Sequence, residues 1–157
     1  MKKFILSLTA YCFVFLLPAC EFSDDKSEKD FLDGKWISAD TGFGVDGYLI
    51  DTAKDTLTYY YAAGTLNWTD DQIILKGKIV NNSTLSKTSG AITIKIDTAS
   101  PAYQIIRWQN ADGKKISLAN AFKMDGKNLC GSAEEAEKEQ TIENGYFTFF
   151  GDYTVTE

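Results

Sequence analysis

The amino-acid sequence predicts a mainly β domain: a single antiparallel meander of about eight strands, closed into a barrel, with one short helix before the last strand. Three observations carry that expectation. Apolar residues alternate with period two in one short run after another between residues 35 and 155, the spacing that sends successive side chains to opposite faces of a strand. Turn signals such as Asp112-Gly113 recur at short intervals, which suits hairpins and leaves no room for the long crossovers a parallel sheet needs. Only one segment, 132–143, carries a helical signature. Closing such a meander removes the exposed edges of an open sheet.

The chain begins ahead of that domain. Met1-Lys2-Lys3 is basic, and 4–17 is apolar except for Ser7 and Thr9. The run falls short of the about 20 apolar residues that a spanning helix needs. Glu21, Asp24 and Asp25 follow it where a basic stop-transfer flank would stand, so 1–19 reads as a signal peptide. It ends in Leu17-Pro18-Ala19-Cys20, which resembles the lipobox of bacterial lipoproteins. The resemblance implies cleavage before Cys20, a diacylglycerol thioether on its sulfur and an acyl chain on its new amino group. One acyl chain binds a bilayer marginally, whereas two or three anchor stably. The alternative is an ordinary secretory peptide with a coincidental cysteine. Residues 20–30 are then the lipidated cysteine and a flexible acidic tether without periodicity; ten extended residues reach about 35 Å. The barrel domain is 31–157.

Within it, 35–39 carries Trp36, and Asp46-Gly47 turns into Tyr48-Leu49-Ile50. The run 56–62 puts Leu57, Tyr59 and Tyr61 on one face, with Thr58 and Tyr60 on the other. In 72–80, Ile73, Leu75 and Ile79 share a face and Gly77 marks a bulge or bend. The alternation is cleanest in 91–97, with Ile92, Ile94 and Ile96 inward and Thr93, Lys95 and Asp97 outward. Strands 103–108 and 116–122 form a hairpin around Asn110-Ala111-Asp112-Gly113. Ser132 with Glu135 three residues on makes a capping box, Glu134 and Glu137 suit the early turns, and Gly145 is a stop. The helix has a narrow apolar face of Ala133, Ala136 and Ile142, which places it on the surface or across a barrel end. A strand over 146–155, with a bulge at Gly151, closes the chain.

Composition narrows the chemistry. Loss of 1–19 removes two of the 16 basic residues and none of the 22 acidic ones. The resulting formal charge of −8 on 138 residues argues against nucleic acid or anionic headgroups as partners. Cys12 leaves with the signal and Cys20 takes lipid, so Cys130 alone remains and no intramolecular disulfide can form. Cys130 reads as a small semi-buried hydrophobe, with a reactive thiol or an intermolecular bridge as alternatives. The chain has no histidine, which removes Ser-His and Cys-His nucleophile pairs and most transition-metal sites. The expectation is a non-enzymatic protein without metal or cofactor, a histidine-free hydrolase being the residual possibility.

Two motifs invite chemistry. Gly42-Phe43-Gly44-Val45-Asp46-Gly47 matches G-x-G-x-x-G, but a strand follows where a nucleotide fingerprint needs a helix, so it reads as a glycine-rich β-connection. Asp51, Asp55, Asp70 and Asp71 lack calcium-loop spacing and read as solvated turn acids.

Gly34-x-Trp36 opening the first strand, in a meander whose last strand returns beside it, resembles the lipocalin-like (calycin) barrels. Gly34-Lys35-Trp36-Ile37-Ser38, Asp46-Gly47-Tyr48, Leu57-Thr58-Tyr59-Tyr60, Gly90-Ala91-Ile92-Thr93-Ile94-Lys95, Ser117-Leu118-Ala119-Asn120-Ala121-Phe122 and Phe150-Gly151-Asp152-Tyr153 are similar to small lipoproteins of spirochaetes. That resemblance spans nearly all of 31–157, implies a fold and a location, and supplies no active-site residues. Lipocalins also pack an arginine from near the last strand on the tryptophan; here the one arginine is Arg107, on a middle strand.

The functional expectation is a membrane-anchored, extracytoplasmic lipoprotein of the bacterial cell envelope, on the periplasmic face or the outer surface. Its partners are the membrane, through the anchor, and an unidentified protein. The alternative is a lipocalin-like binder of a small apolar or aromatic ligand inside the barrel, lined by Trp36, Tyr59, Tyr61, Ile94 and Trp108. It requires a cavity of about 300 Å³ or more.

Overall fold

Antiparallel pairing runs without interruption around the sheet. The computed structural model describes residues 31–38, 43–86 and 88–156; the signal peptide, Cys20 and the tether assigned from sequence lie outside them. The strands are β1 (Gly34–Ser38), β2 (Val45–Asp51), β3 (Thr56–Ala62), β4 (Ile73–Ser86), β5 (Ser89–Ile96), β6 (Ala102–Gln109), β7 (Lys115–Asn120) and β8 (Gly151–Thr156), with α1 (Ala133–Glu139) before β8. Each strand pairs with the next and β8 pairs with β1, closing an eight-stranded barrel. This is the predicted architecture. Among the described residues no helix is long and apolar enough to cross a membrane.

Alternation fills the interior. Ile92, Ile94 and Ile96 point inward from β5 as expected, joined by Trp36, Leu57, Ile106, Trp108 and Ile116 in one buried cluster. Each such side chain contributes about 1.5–3 kcal/mol through removal from water. Trp36 also closes one end: its Nε1 donates to the Leu32 carbonyl at 2.8 Å, and Leu32 is fully buried. Two further clusters lie outside the wall. Tyr60, Ala62 and Leu66 pack with Trp68 over β2 and β3, and Ile105, Ala119, Ala121, Cys130, Ala136, Tyr146 and Phe147 pack over β6 and β7.

Several local expectations need correction, each for a packing reason. Asp46-Gly47 is not a turn; both residues lie in β2, where Gly47 pairs with Ile37 and Tyr60. A Cβ on Gly47 would stand 2.4 Å from Leu66 and 2.9 Å from Trp68, so glycine is required for the outer cluster to approach the wall. Gly77 sits in a regular ladder opposite Leu57 and Ile96 and is not a bulge. The register shifts elsewhere on β4, which continues six residues past Val80: Leu75 and Ile73 oppose consecutive residues of β3, and Ile79 and Asn81 oppose consecutive residues of β5. Ile74, Val80 and Leu85 are the extra residues, and all three are exposed. The slip at Ile74 turns Ile73 to the outer cluster with Tyr60 while Leu75 stays inward.

The helix is shorter than 132–143. Ser132 Oγ accepts from the Glu135 backbone N–H at 3.1 Å, but Glu135 Oε2 accepts from Gly131, one residue earlier than a capping box requires. α1 ends at Gln140, and Ile142 is exposed beyond it. Of the two places expected for it, the surface holds and a barrel end does not: it packs on the outer wall of β5 and β6, so Thr93, outward as expected, is buried beneath it. β8 begins at Gly151 because Tyr146 and Phe147 are taken by the outer cluster.

Candidate functional site

The meander puts the ends of β1, β3, β5 and β7 and the starts of β2, β4, β6 and β8 at one end of the barrel. The start of β1, the β2–β3 and β6–β7 turns and the end of β8 lie at the other. We term the first end the mouth, and the Trp36–Leu32 contact covers the other.

Of the expected lining, Trp36, Ile94 and Trp108 are 1%, 0% and 2% exposed in the packed core. Tyr59 packs against them. Tyr61 does not line the interior cavity: it stands near the end of β3, partly exposed, with its hydroxyl donating to the Phe43 carbonyl. A cavity of about 20 Å³ in the interior is lined by Tyr48, Tyr59, Gln104 and Asn120 with Leu57, Leu75, Ile94 and Ile106. That is space for about one water molecule.

Tyrosines fill the space. Tyr48 and Tyr59 stack at 4.9 Å between ring centroids, and Tyr153 meets Tyr48 edge-on at 5.4 Å. Asn120 Nδ2 donates to the Tyr48 hydroxyl at 2.9 Å, and the Tyr59 hydroxyl donates to Asp46 Oδ1 at 2.8 Å. Burial pushes all three phenols well above their ordinary range; the Asp46 carboxylate reinforces this, and for Tyr48 the Asn120 bond opposes it. The hydroxyls therefore stay protonated. Sequence reading named Tyr59 but missed Tyr48 and Asn120. The available signal was Tyr48's place two residues before Ile50 on the inward face, whereas Asn120 is brought to it only by closure of the barrel, 72 residues away.

The acids seen in sequence are not brought together. Asp51 pairs with Lys54 at 2.6 Å in the β2–β3 turn and Asp55 follows in the same turn, while Asp70 and Asp71 lie in a 3-10 turn at the opposite end. Among the described residues no group of three or more Cys, Asp and Glu side chains is placed to hold a metal ion. Cys130 is 2% exposed, and burial pushes its thiol up, so it packs as a small hydrophobe.

The mouth is apolar at its rim. Phe43, Met124 and Phe149 are 87%, 94% and 81% exposed, and Phe122 is also largely solvated. Phe122 follows the end of β7 and Phe149 precedes the start of β8 by two residues each, and the Phe43 carbonyl accepts from the Tyr61 hydroxyl at the end of β3. Such side chains scattered singly are ordinary; several gathered at one end of a domain are not.

No protein-family model matches the chain, and no curated protein matches it in sequence. In three dimensions it resembles the crystal structure of Treponema pallidum Tp0751 (Pallilysin), with a TM-score of 0.52 over 81% of each chain and 12% sequence identity. At that identity the likeness is one of fold. The lipocalin arginine has no equivalent in the geometry either, because the Arg107 guanidinium lies 5.5 Å from the Phe147 ring centroid, on the outside of the wall.

Proposed function

We propose that this is a non-enzymatic lipoprotein, anchored through Cys20 in the bacterial cell envelope, whose barrel mouth docks a protein partner. The observation that carries the reading is the exposure of Phe43, Phe122, Met124 and Phe149, which lie in the chain just beyond the strand ends at the end of the barrel away from the start of β1. An anchored domain of this build presents its apolar end outward, on a tether that reaches about 35 Å. Phe and Met side chains that become buried in an interface contribute about 1.5–3 kcal/mol each, enough for a few of them to dominate binding.

The packed interior supports docking over carriage. A ligand of drug-like size needs roughly 300 Å³ or more, and the cavity beside Tyr48 is about 20 Å³. The test is affinity capture from native membranes with the lipidated protein and with a Phe43→Ser/Phe149→Ser variant. A partner recovered by the first and lost from the second is the expected result; no partner above background, or equal recovery by both, overturns the reading. Cys20→Ser should move the protein from the detergent phase to the aqueous phase, and unchanged partitioning would sink the anchor.

A further inference from the structure

The outer wall beneath α1 holds a second site, unrelated to the mouth. Register aligns Ser83, Ala91, Arg107 and Ala119 in one outward row across β4 to β7. Three of the four are small. The next row toward the mouth, Asn81, Thr93 and Ile105, is roofed by α1, but the helix stops at Glu139 and Gln140. Its end therefore overhangs a trough of about 280 Å³ floored by Ala91 and Ile105, with Leu85 at one margin.

Two opposite charges face this trough. Arg107 stacks on Phe147 and, among the described residues, makes no ion pair within 4 Å. Phe147 itself holds φ +59, a conformation that costs a non-glycine residue of order 1–3 kcal/mol and persists only where packing enforces it. On the helix side, Glu137 Oε1 accepts from Asn81 Nδ2 at 2.8 Å and from Thr93 Oγ1 at 3.0 Å. Both bonds fall on one oxygen, and Glu137 lines the trough. Gln140, 1% exposed, locks the helix end to the wall by accepting from the Ile105 N–H at 2.8 Å and donating to the Lys127 and Asn128 carbonyls. Arg107 and Glu137 thus both line a trough floored by Ala91 and Ile105, and the Glu143 carboxyl is held low by its own backbone hydrogen bond and, in smaller part, by the Arg107 charge.

We infer that this trough binds a small zwitterion with an apolar side group, an α-amino acid or short peptide, its carboxylate on Arg107 and its ammonium on Glu137. The planar guanidinium suits a carboxylate through paired hydrogen bonds. Leu85, Ala91 and Ile105 provide the surface for the apolar group. A trough of about 280 Å³ has room for a ligand of this class, smaller than the drug-sized ligands that need roughly 300 Å³ or more.

The experiment is calorimetric titration of the full-length lipidated protein in detergent with L-leucine, Leu-Leu, N-acetyl-leucine and leucinamide. L-Leucine or Leu-Leu should bind, the tighter of the two identifying a free amino acid or a peptide as the source. Each capped form should bind about tenfold or more weakly, since it lacks one charge-assisted contact. Arg107→Gln and Ala91→Leu, which remove the cation and fill the floor, should each abolish the heat while circular dichroism stays native. Absence of binding up to about 1 mM L-leucine and Leu-Leu, capped forms as tight as the parent, or binding that survives both folded variants overturns the inference. The Phe43→Ser/Phe149→Ser rim variant should titrate like the parent, which separates this site from the docking reading.

Discussion

Alkaline pH should unfold this barrel through Tyr48 and Tyr153. The two hydroxyls sit in residues 3% and 7% exposed, and burial raises both above the ordinary phenol value of 10.0. Above pH 10 the unfolded chain releases these protons and the folded chain keeps them, so the unfolded state binds fewer protons and stability falls as pH rises. Below pH 10 both states are protonated and the contribution is complete. One proton of difference costs about 1.4 kcal/mol per pH unit, and two buried phenols cost about 2.7. Two units of climb therefore remove about 5 kcal/mol, the lower limit of ordinary domain stability, and the barrel should open near pH 12. Tyr59, more open to solvent, adds less.

The assay is the urea midpoint by circular dichroism at stepped pH, read beside tyrosinate absorbance. Tyr48→Phe separates the cause from general alkaline damage. At pH 7 it loses the bond from Asn120 and should be less stable by about 1 kcal/mol. Above pH 10 its stability should fall half as steeply, so the two curves cross. Buried tyrosines that ionise near pH 10 in a barrel with native circular dichroism, or identical slopes for the variant and the parent, would refute the reasoning.

Two further perturbations test the packing. Gly90→Ala places a Cβ 2.7 Å from the Trp108 ring and 2.8 Å from the Ser83 carbonyl oxygen; with backbone and a buried ring unable to yield, overpacking should cost about 1–3 kcal/mol in urea unfolding. An unchanged midpoint would mean that the β4–β5 edge is looser than drawn. Gln140→Ala strands the Ile105 N–H and the Lys127 and Asn128 carbonyls, a loss of about 1–3 kcal/mol. Amide exchange at Ile105 should accelerate with it, and a protected Ile105 amide in the variant would contradict the assigned bond.

The sequence alone determined the number and direction of the strands and the helix before β8, because periodicity and turn spacing are properties of neighbouring residues, and it pointed to closure of β8 on β1 because an open meander would leave two exposed edges. Its errors follow from the same limit. Nothing near Gly47 reveals that Leu66 and Trp68 will lie on it, and nothing near Gly77 places the slips at Ile74 and Val80, which arise from matching β4 to two partners at once. Inward aromatics were legible, but whether Tyr48, Tyr59 and Tyr153 fill the barrel or line a cup depends on how their rings meet. The trough under α1 lay wholly beyond sequence reading: Asn81 and Glu137 are 56 residues apart and Thr93 and Glu137 are 44. Local order is encoded in the chain locally; the filling of the interior and the meeting of Arg107 with Glu137 across one trough were decided only when distant strands took their register.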